Sequence, residues 1–208
     1  MSMDIRRLAR LQVLSLSALL LGGCLGPGRP ANFYLLQPVP PAEIKTSSPL
    51  PEETPLIGVG PVTFPGYLDR PQIVLSSGRN QLKLDEFQRW SEPLKGNFTR
   101  VLVENLSQAI PTDRVLTFPW QRSFHPVYVV EVEVDRFHVA SSGQSILDAS
   151  WSVMKNNQPI HLKKSAYSLP ADVTSYESIV SAQSAALGAL SREIAGFLRT
   201  LVLNESSE

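Results

Sequence analysis

Cysteine is almost missing from this chain: there is one in 208 residues, at Cys24. No intramolecular disulfide is possible. Histidine is nearly as scarce. His125, His138 and His161 are scattered without ligand spacing, so each reads as a surface or strand residue and no metal site is expected. Neither sign of charge is in excess, with 19 Lys and Arg against 19 Asp and Glu. Nucleic acid is therefore not an expected partner. The Gly-x-Ser-x-Gly nucleophile elbow is lacking. "IGVGPVTF" (57–64) has two glycines but no third, and Pro61 follows the second, so the dinucleotide fingerprint fails. Asp85 and Glu86 alternate across a predicted strand and cannot act as an acid/base couple. Glu131, Glu133 and Asp135 share a face, which reads as a solvated strand face paired with lysines across the sheet. No constellation supports a hydrolase, and neither catalysis nor a cofactor is expected.

Long apolar runs are also lacking. The longest, Leu11 to Leu21, is shorter than the roughly 20 residues that a membrane span needs. It follows Arg6, Arg7 and Arg10 and precedes Gly22-Gly23-Cys24, the order of a secretory signal. "Leu21-Gly22-Gly23-Cys24" resembles the lipobox of bacterial lipoproteins. That resemblance implies cleavage after Gly23 and a diacylglycerol thioether on Cys24. Two or three acyl chains make a lasting anchor where one does not. Leu25, rather than Asp, follows the cysteine, so the same resemblance implies the outer membrane, facing the periplasm. The expected organisation is a signal at 1–23, a tether at 24–32, one domain at 33–203 and a polar tail at 204–208. The mature part carries 16 basic and 18 acidic residues. From Cys24 to Phe33 the chain reaches at most about 30 Å.

Nine of the 17 prolines fall between Pro27 and Pro61. They make "LGPGRPA" (25–31) a stiff tether and 38–55 a long loop. Strands are expected at 32–37 and 56–62, and a hairpin at 67–77 and 80–87 with Gly78 in its turn. Residues 91–111 are expected to form a helix, with Ser91 as N-cap, Pro93 in the first turn and Pro111 as stop. Its apolar face is Leu94, Phe98, Val101, Leu102, Leu106 and Ile110. From 114 onward, four consecutive extended segments with two tight turns read as an antiparallel meander. In 127–140 the alternation breaks after Asp135, which calls for a bulge or a bend. Residues 174–202 form a second long helix with a broad stripe from Ile179 to Leu201. Its other flank is small: Ala185, Gly188, Ala189, Ala195 and Gly196. Sequons at Asn97, Asn105 and Asn204 read as chance, the first two lying inside the first helix.

Binding residues stand out more than catalytic ones. "GYLDRPQIV" (66–74) offers Asp69, Arg70 and Gln72, and "RWSEPL" (89–94) offers Arg89, Trp90 and Glu92. Arg and Trp are enriched at interface hot spots. Two readings stand side by side: a partner or self-association surface, or local pairing of the arginines with Trp90 plugging the helix start.

These stretches carry a family likeness. "FYLL", "IGVGPVTFPGYLDRPQIV", "NQLKLDEFQRWSEPLKGNFTRVLVENLSQAI" and the "PW" at 119–120 resemble the PqiC, or YmbA-like, family of ABC-type transport auxiliary lipoproteins, from about Phe33 to Val202. Ser91 stands where that family's motif has Ala. The resemblance implies a mixed α+β fold like the N-terminal domain of TolB: one largely antiparallel sheet of six or seven strands with two long helices packed on it. It implies an outer-membrane lipoprotein that docks the end of a ring-shaped MCE-domain protein of an inner-membrane ABC lipid-transport system, and a homo-oligomeric ring of this chain is the matching expectation. A lipid-binding carrier, with an apolar cavity lined by Trp90, Trp120 and Trp151, is the alternative.

Overall fold

The computed structural model describes residues 29–40, 54–78, 80–110 and 113–205. The expected signal, Cys24 and most of the 38–55 loop lie outside them. The folded unit begins at Ala31. Its elements are β1 (Asn32–Tyr34), β2 (Ile57–Thr63), β3 (Gln72–Ser76), β4 (Leu82–Trp90), α1 (Leu94–Ala109), β5 (Val115–Thr117), β6 (Tyr128–Ala140), β7 (Gln144–Lys155), β8 (Gln158–Pro170) and α2 (Tyr176–Glu205). The eight strands form one mixed sheet.

β6 is its spine. One edge pairs antiparallel with β7, from Tyr128↔Lys155 to Ala140↔Gln144, and β7 pairs antiparallel with β8. The other edge is shared. β2 runs parallel to Tyr128–Glu133, and Leu75–Ser76 of β3 run parallel to Val139–Ala140. β2 and β3 thus behave as one interrupted strand. Between Thr63 and Leu75 the chain takes twelve steps while β6 takes six, from Glu133 to Val139. The surplus, 64–71, leaves the sheet and contains a short 3-10 turn at Gly66–Leu68. The expected bulge sits inside this gap: Val134 pairs with Ala149 and Arg136 with Asp148, leaving Asp135 as the extra residue. Beyond it, Phe137 and Val139 face inward. Lys164 of β8 reaches Asp135 at 3.7 Å, the cross-sheet pairing that the acidic stripe suggested.

Only three of the four expected meander segments form one. β5 instead runs parallel to β2 at the far edge of the sheet. Residues 118–127 carry the chain from there across the sheet's outer face to β6, where Trp120 and Pro126 lie against Gly58. A Cβ on Gly58 would stand 2.6 Å from the Trp120 ring, which is why glycine is needed there.

Both helices cover the inner face. Every apolar position expected of α1 is buried. The expected cap is different. Ser91 donates its N–H to the Tyr34 carbonyl at 2.9 Å, extending the β1–β4 ladder, so the helix starts two residues later with Pro93 as N-cap. α2 does have a serine cap, since the Ser178 N–H donates to Ser175 Oγ at 3.2 Å. Near its middle, Glu193 accepts from Ser165 Oγ at 2.7 Å and from Tyr167 and Lys163, joining the helix to β8.

The expected first strand ends early because helix side chains take over its backbone. The Leu36 N–H donates to Asn97 Oδ1 at 2.7 Å, and the Val39 N–H to Asn105 Oδ1 at 2.9 Å. The Gln37 N–H donates to Ser184 Oγ at 3.1 Å, and Asn105 Nδ2 donates onward to Ser191 Oγ at 3.1 Å. Residues 36–39 therefore form a strap clamped between α1 and α2. Asn97 and Asn105 are fully buried, so neither sequon is accessible in the folded chain. The small flank of α2 is partly consumed here. A Cβ on Gly188 would lie 2.1 Å from Val39 Cγ1, and Ala195 is buried, whereas Ala185 and Gly196 remain exposed.

Three expectations follow. Asn105→Ala leaves the Val39 N–H without its acceptor and costs about 2–3 kcal/mol, read as a lower denaturant midpoint. Gly188→Ala destabilises, and Val39→Ala added to it costs less than the sum of the two singles, because it removes the clashing methyl. Acid stability reports on Glu193. Burial raises its pKa, but donation from Lys163, Tyr167 and Ser165 outweighs this and holds it below the ordinary value. A depressed folded-state pKa makes its contribution full above about pH 5, and it is lost as pH falls through the folded value. Glu193→Gln flattens that part of the melting-temperature profile below pH 5, and an unchanged profile contradicts the assignment.

Candidate functional site

The residues expelled from the sheet gap build a cleft. Pro65 leads into the Gly66–Leu68 turn, and Asp69 N–H closes it on the Gly66 carbonyl at 3.2 Å. Arg70 N–H donates to the Leu68 carbonyl at 2.9 Å, and Pro71 accepts the Trp90 N–H at 2.7 Å. That last bond ties the two sequence motifs together. The cleft between them holds about 630 Å³. Phe64, Leu68, Trp90 and Leu94 supply apolar wall, while Asp69, Arg70, Ser91, Glu92 and Lys95 supply the polar part. Phe64 is braced edge-to-face on Phe98 at 5.1 Å, and Phe98 on Phe137 at 5.5 Å, so the wall continues into the core.

Four of the six residues singled out in the sequence meet here: Asp69, Arg70, Trp90 and Glu92. Gln72 and Arg89 do not line the cleft. They are cross-strand partners on β3 and β4, and both bond to Glu86. Gln72 Nε2 reaches its carboxylate at 2.8 Å, and Arg89 reaches its carboxylate at 3.2 Å and its carbonyl at 2.7 Å. Strand alternation explains the split, since Trp90 turns to the core and Arg89 beside it turns out. Phe64, Leu68, Leu94 and Lys95 complete the cleft without having been singled out. The only signal for them was position: Leu68 and Leu94 lie inside the two motifs, and Phe64 and Lys95 lie close beside them.

Charges in the cleft are unequally matched. Glu92 is held by Arg100 at 2.7 Å. Arg70 Nε is shut off from solvent and has no hydrogen-bond partner among the described residues. At the first turn of α1, Pro93 provides no side-chain cap and no acidic residue is present.

The other chemistry-bearing groups are structural. Tyr67 Oη and His138 Nδ1 are 3.1 Å apart, and burial lowers the His138 pKa. His161 stacks on Phe197 at 4.0 Å. Among the described residues no three His, Cys, Asp or Glu side chains are placed to hold a metal ion. Trp90, Trp120 and Trp151 line three different clefts and do not share one cavity. Trp151 is in the core, its Nε1 donating to Ser165 Oγ at 3.1 Å. A second groove of about 630 Å³ runs along the strap, bordered by Phe33, which is 62% exposed, and by Glu177, Val180 and Ala185 of α2.

Solved structures share the fold. A crystal structure of an uncharacterized protein aligns with a TM-score of 0.68 at 20% identity, over 82% of this chain and 99% of its own. A protein from Xanthomonas campestris of the DUF330 family aligns with a TM-score of 0.71 at 14% identity, over 86% of this chain and 100% of its own. No curated protein matches the sequence. Residues 34–195 match the family described as the ABC-type transport auxiliary lipoprotein component, a span that holds both motif stretches, the cleft and the strap clamp. By that match the chain belongs to the ABC-type transport auxiliary lipoprotein family.

Proposed function

We propose that this auxiliary lipoprotein is anchored to the outer membrane through acylated Cys24, faces the periplasm, and docks the far end of an MCE-domain assembly in an inner-membrane ABC lipid-transport system without catalysis of its own. The observation that carries the docking part is the convergence of two separate motif stretches on one cleft. Its composition, an aromatic wall beside an arginine, is that of an anchor pocket for a partner side chain. Its charged groups are not arranged for proton transfer, since Glu92 is engaged by Arg100 rather than by a nucleophile or base.

The anchor argument supports the same reading. Tyr34 is paired with Trp90, so the chain arriving from the tether becomes the strand beside the cleft wall. With a tether reach of at most about 30 Å, the cleft stays near the membrane to which Cys24 is fixed. A ring of copies fits a ring-shaped partner, and the still-exposed Ala185 and Gly196 of α2 are the close-approach positions left for it.

Three measurements test this. Cys24→Ser should fail to incorporate a palmitate analogue and should leave the membrane fraction; retention there contradicts the anchor. The wild-type lipoprotein should capture an MCE-domain protein from solubilised envelopes, and Trp90→Ala should reduce capture at least tenfold. Because that substitution also removes core packing, Arg70→Gln serves as the second variant, with an unchanged melting temperature as its control. Stoichiometric lipid extracted from a purified monomer that captures no partner replaces docking with the carrier reading.

A further inference from the structure

The geometry points to the cleft at Arg70 as a receptor for a carboxylate carried by an apolar stretch of the partner protein. This rests on the docking reading and names the chemistry of that same site. Three observations of different kinds meet there. First, Arg70 lines the cleft, and its Nε is shut off from solvent with no hydrogen-bond partner among the described residues, so no internal acceptor fixes the guanidinium at that nitrogen. Second, one of the two carboxylates that line the cleft is taken: Glu92 pairs with Arg100 at 2.7 Å. Third, the cations and the helix end that border the cleft outweigh its one remaining acid. Arg70 and Lys95 stand against Asp69, and the first turn of α1, sixteen residues long, has neither a side-chain cap nor an acidic residue.

The rest of the cleft selects among anions. Its wall of Phe64, Leu68, Trp90 and Leu94 is apolar, and about 630 Å³ accommodates a few side chains. A small free anion would leave that wall wet. A guanidinium fork pairs bidentately with carboxylate and phosphate alike, so the choice between them rests on the docking reading, whose partner is a protein. The occupant is therefore a peptide segment that presents one carboxylate, terminal or side-chain, flanked by apolar residues.

The test uses the full-length lipidated protein in detergent micelles. It is titrated with the N-acetylated tripeptide Leu-Phe-Leu carrying a free C-terminal carboxylate, and separately with its carboxamide. NMR follows the Arg70 Nε–H and Trp90 indole resonances. The carboxylate form should shift both and bind at least tenfold more tightly than the carboxamide. Arg70→Gln should abolish that preference, and Arg70→Lys, which keeps the charge and loses the fork, should keep only part of it. Unchanged melting temperatures exclude misfolding as the cause. Equal binding of the two peptides, or an Arg70 resonance that never moves, overturns the inference. So does a larger Arg70 shift with phosphatidylglycerol vesicles than with the peptide, which assigns the anion to a headgroup. Capture of an MCE-domain protein without carboxylate preference overturns this inference alone; carboxylate preference without capture upholds the site and removes the docking reading.

Discussion

β6 has one continuous neighbour and one broken one, and most of the architecture follows from that. β7 runs its whole length, but the opposite edge is divided between β2 and β3. Two parallel segments on one edge need a connection, and here it is only eight residues, 64–71, too short for a crossover helix. The connection can only loop out and return. Between Glu133 and Val139 the spine consequently lacks a neighbour on that side, which leaves room for the extra residue at Asp135. The bulge restores the inward parity of Phe137, whose ring holds Phe98, whose ring in turn holds Phe64 at the cleft. A ladder interruption is thus converted, through two aromatic contacts, into the shape of the cleft.

The strap is the second consequence of an unmet backbone demand. Buried extended chain must satisfy its N–H and C=O groups, and beyond Tyr34 no neighbouring strand is available. Asn97 and Asn105 are eight residues apart on one face of α1, close to two turns and a fraction, and the strap residues they hold are three apart. An extended strand covers three residues in about 10 Å and a helix covers eight in about 12 Å, so the two spacings match. Hydroxyls from α2 complete the set. The helices are therefore held together by polar side chains through a third piece of chain as well as by apolar contact.

What was legible in the sequence was whatever periodicity encodes. The apolar face of α1, the stripe of α2, the hairpin pairs β6–β7 and β7–β8 and the break at Asp135 all follow from local pattern. The convergence of Asp69, Arg70, Trp90 and Glu92 was half legible. Composition marked the residues, but only the sheet gap brings them together, and strand alternation removes Gln72 and Arg89. Nonlocal satisfaction was not legible at all. Ser91 reads as an N-cap until the ladder with Tyr34 claims its N–H, and Asn97 and Asn105 read as chance sequons inside a helix until the strap needs acceptors. Gly188 reads as a close-approach position, toward the sheet or another copy of the chain, and it is Val39 of the strap that requires it. β5 looked like part of a meander because its partner, β2, is more than fifty residues earlier in sequence.

The strap and the cleft share a mechanical element. Leu94 and Lys95 of α1 border the cleft, and Asn97, next in the same turn, grips Leu36. On the other side, Tyr34 pairs with Trp90 and accepts the Ser91 N–H. The chain that enters from the tether is fastened on both sides of the cleft before it reaches anything else in the domain. On the docking proposed above, the domain is held at one end by lipid and at the other by its partner, and so works under load. In this arrangement that load runs from β1 and the strap into α1 and the Trp90 wall, without passing through the β7–β8 hairpin. That path is tied by buried hydrogen bonds, from the Leu36 N–H to Asn97 and from the Val39 N–H to Asn105. The remainder of the sheet is left to support that path rather than to carry it.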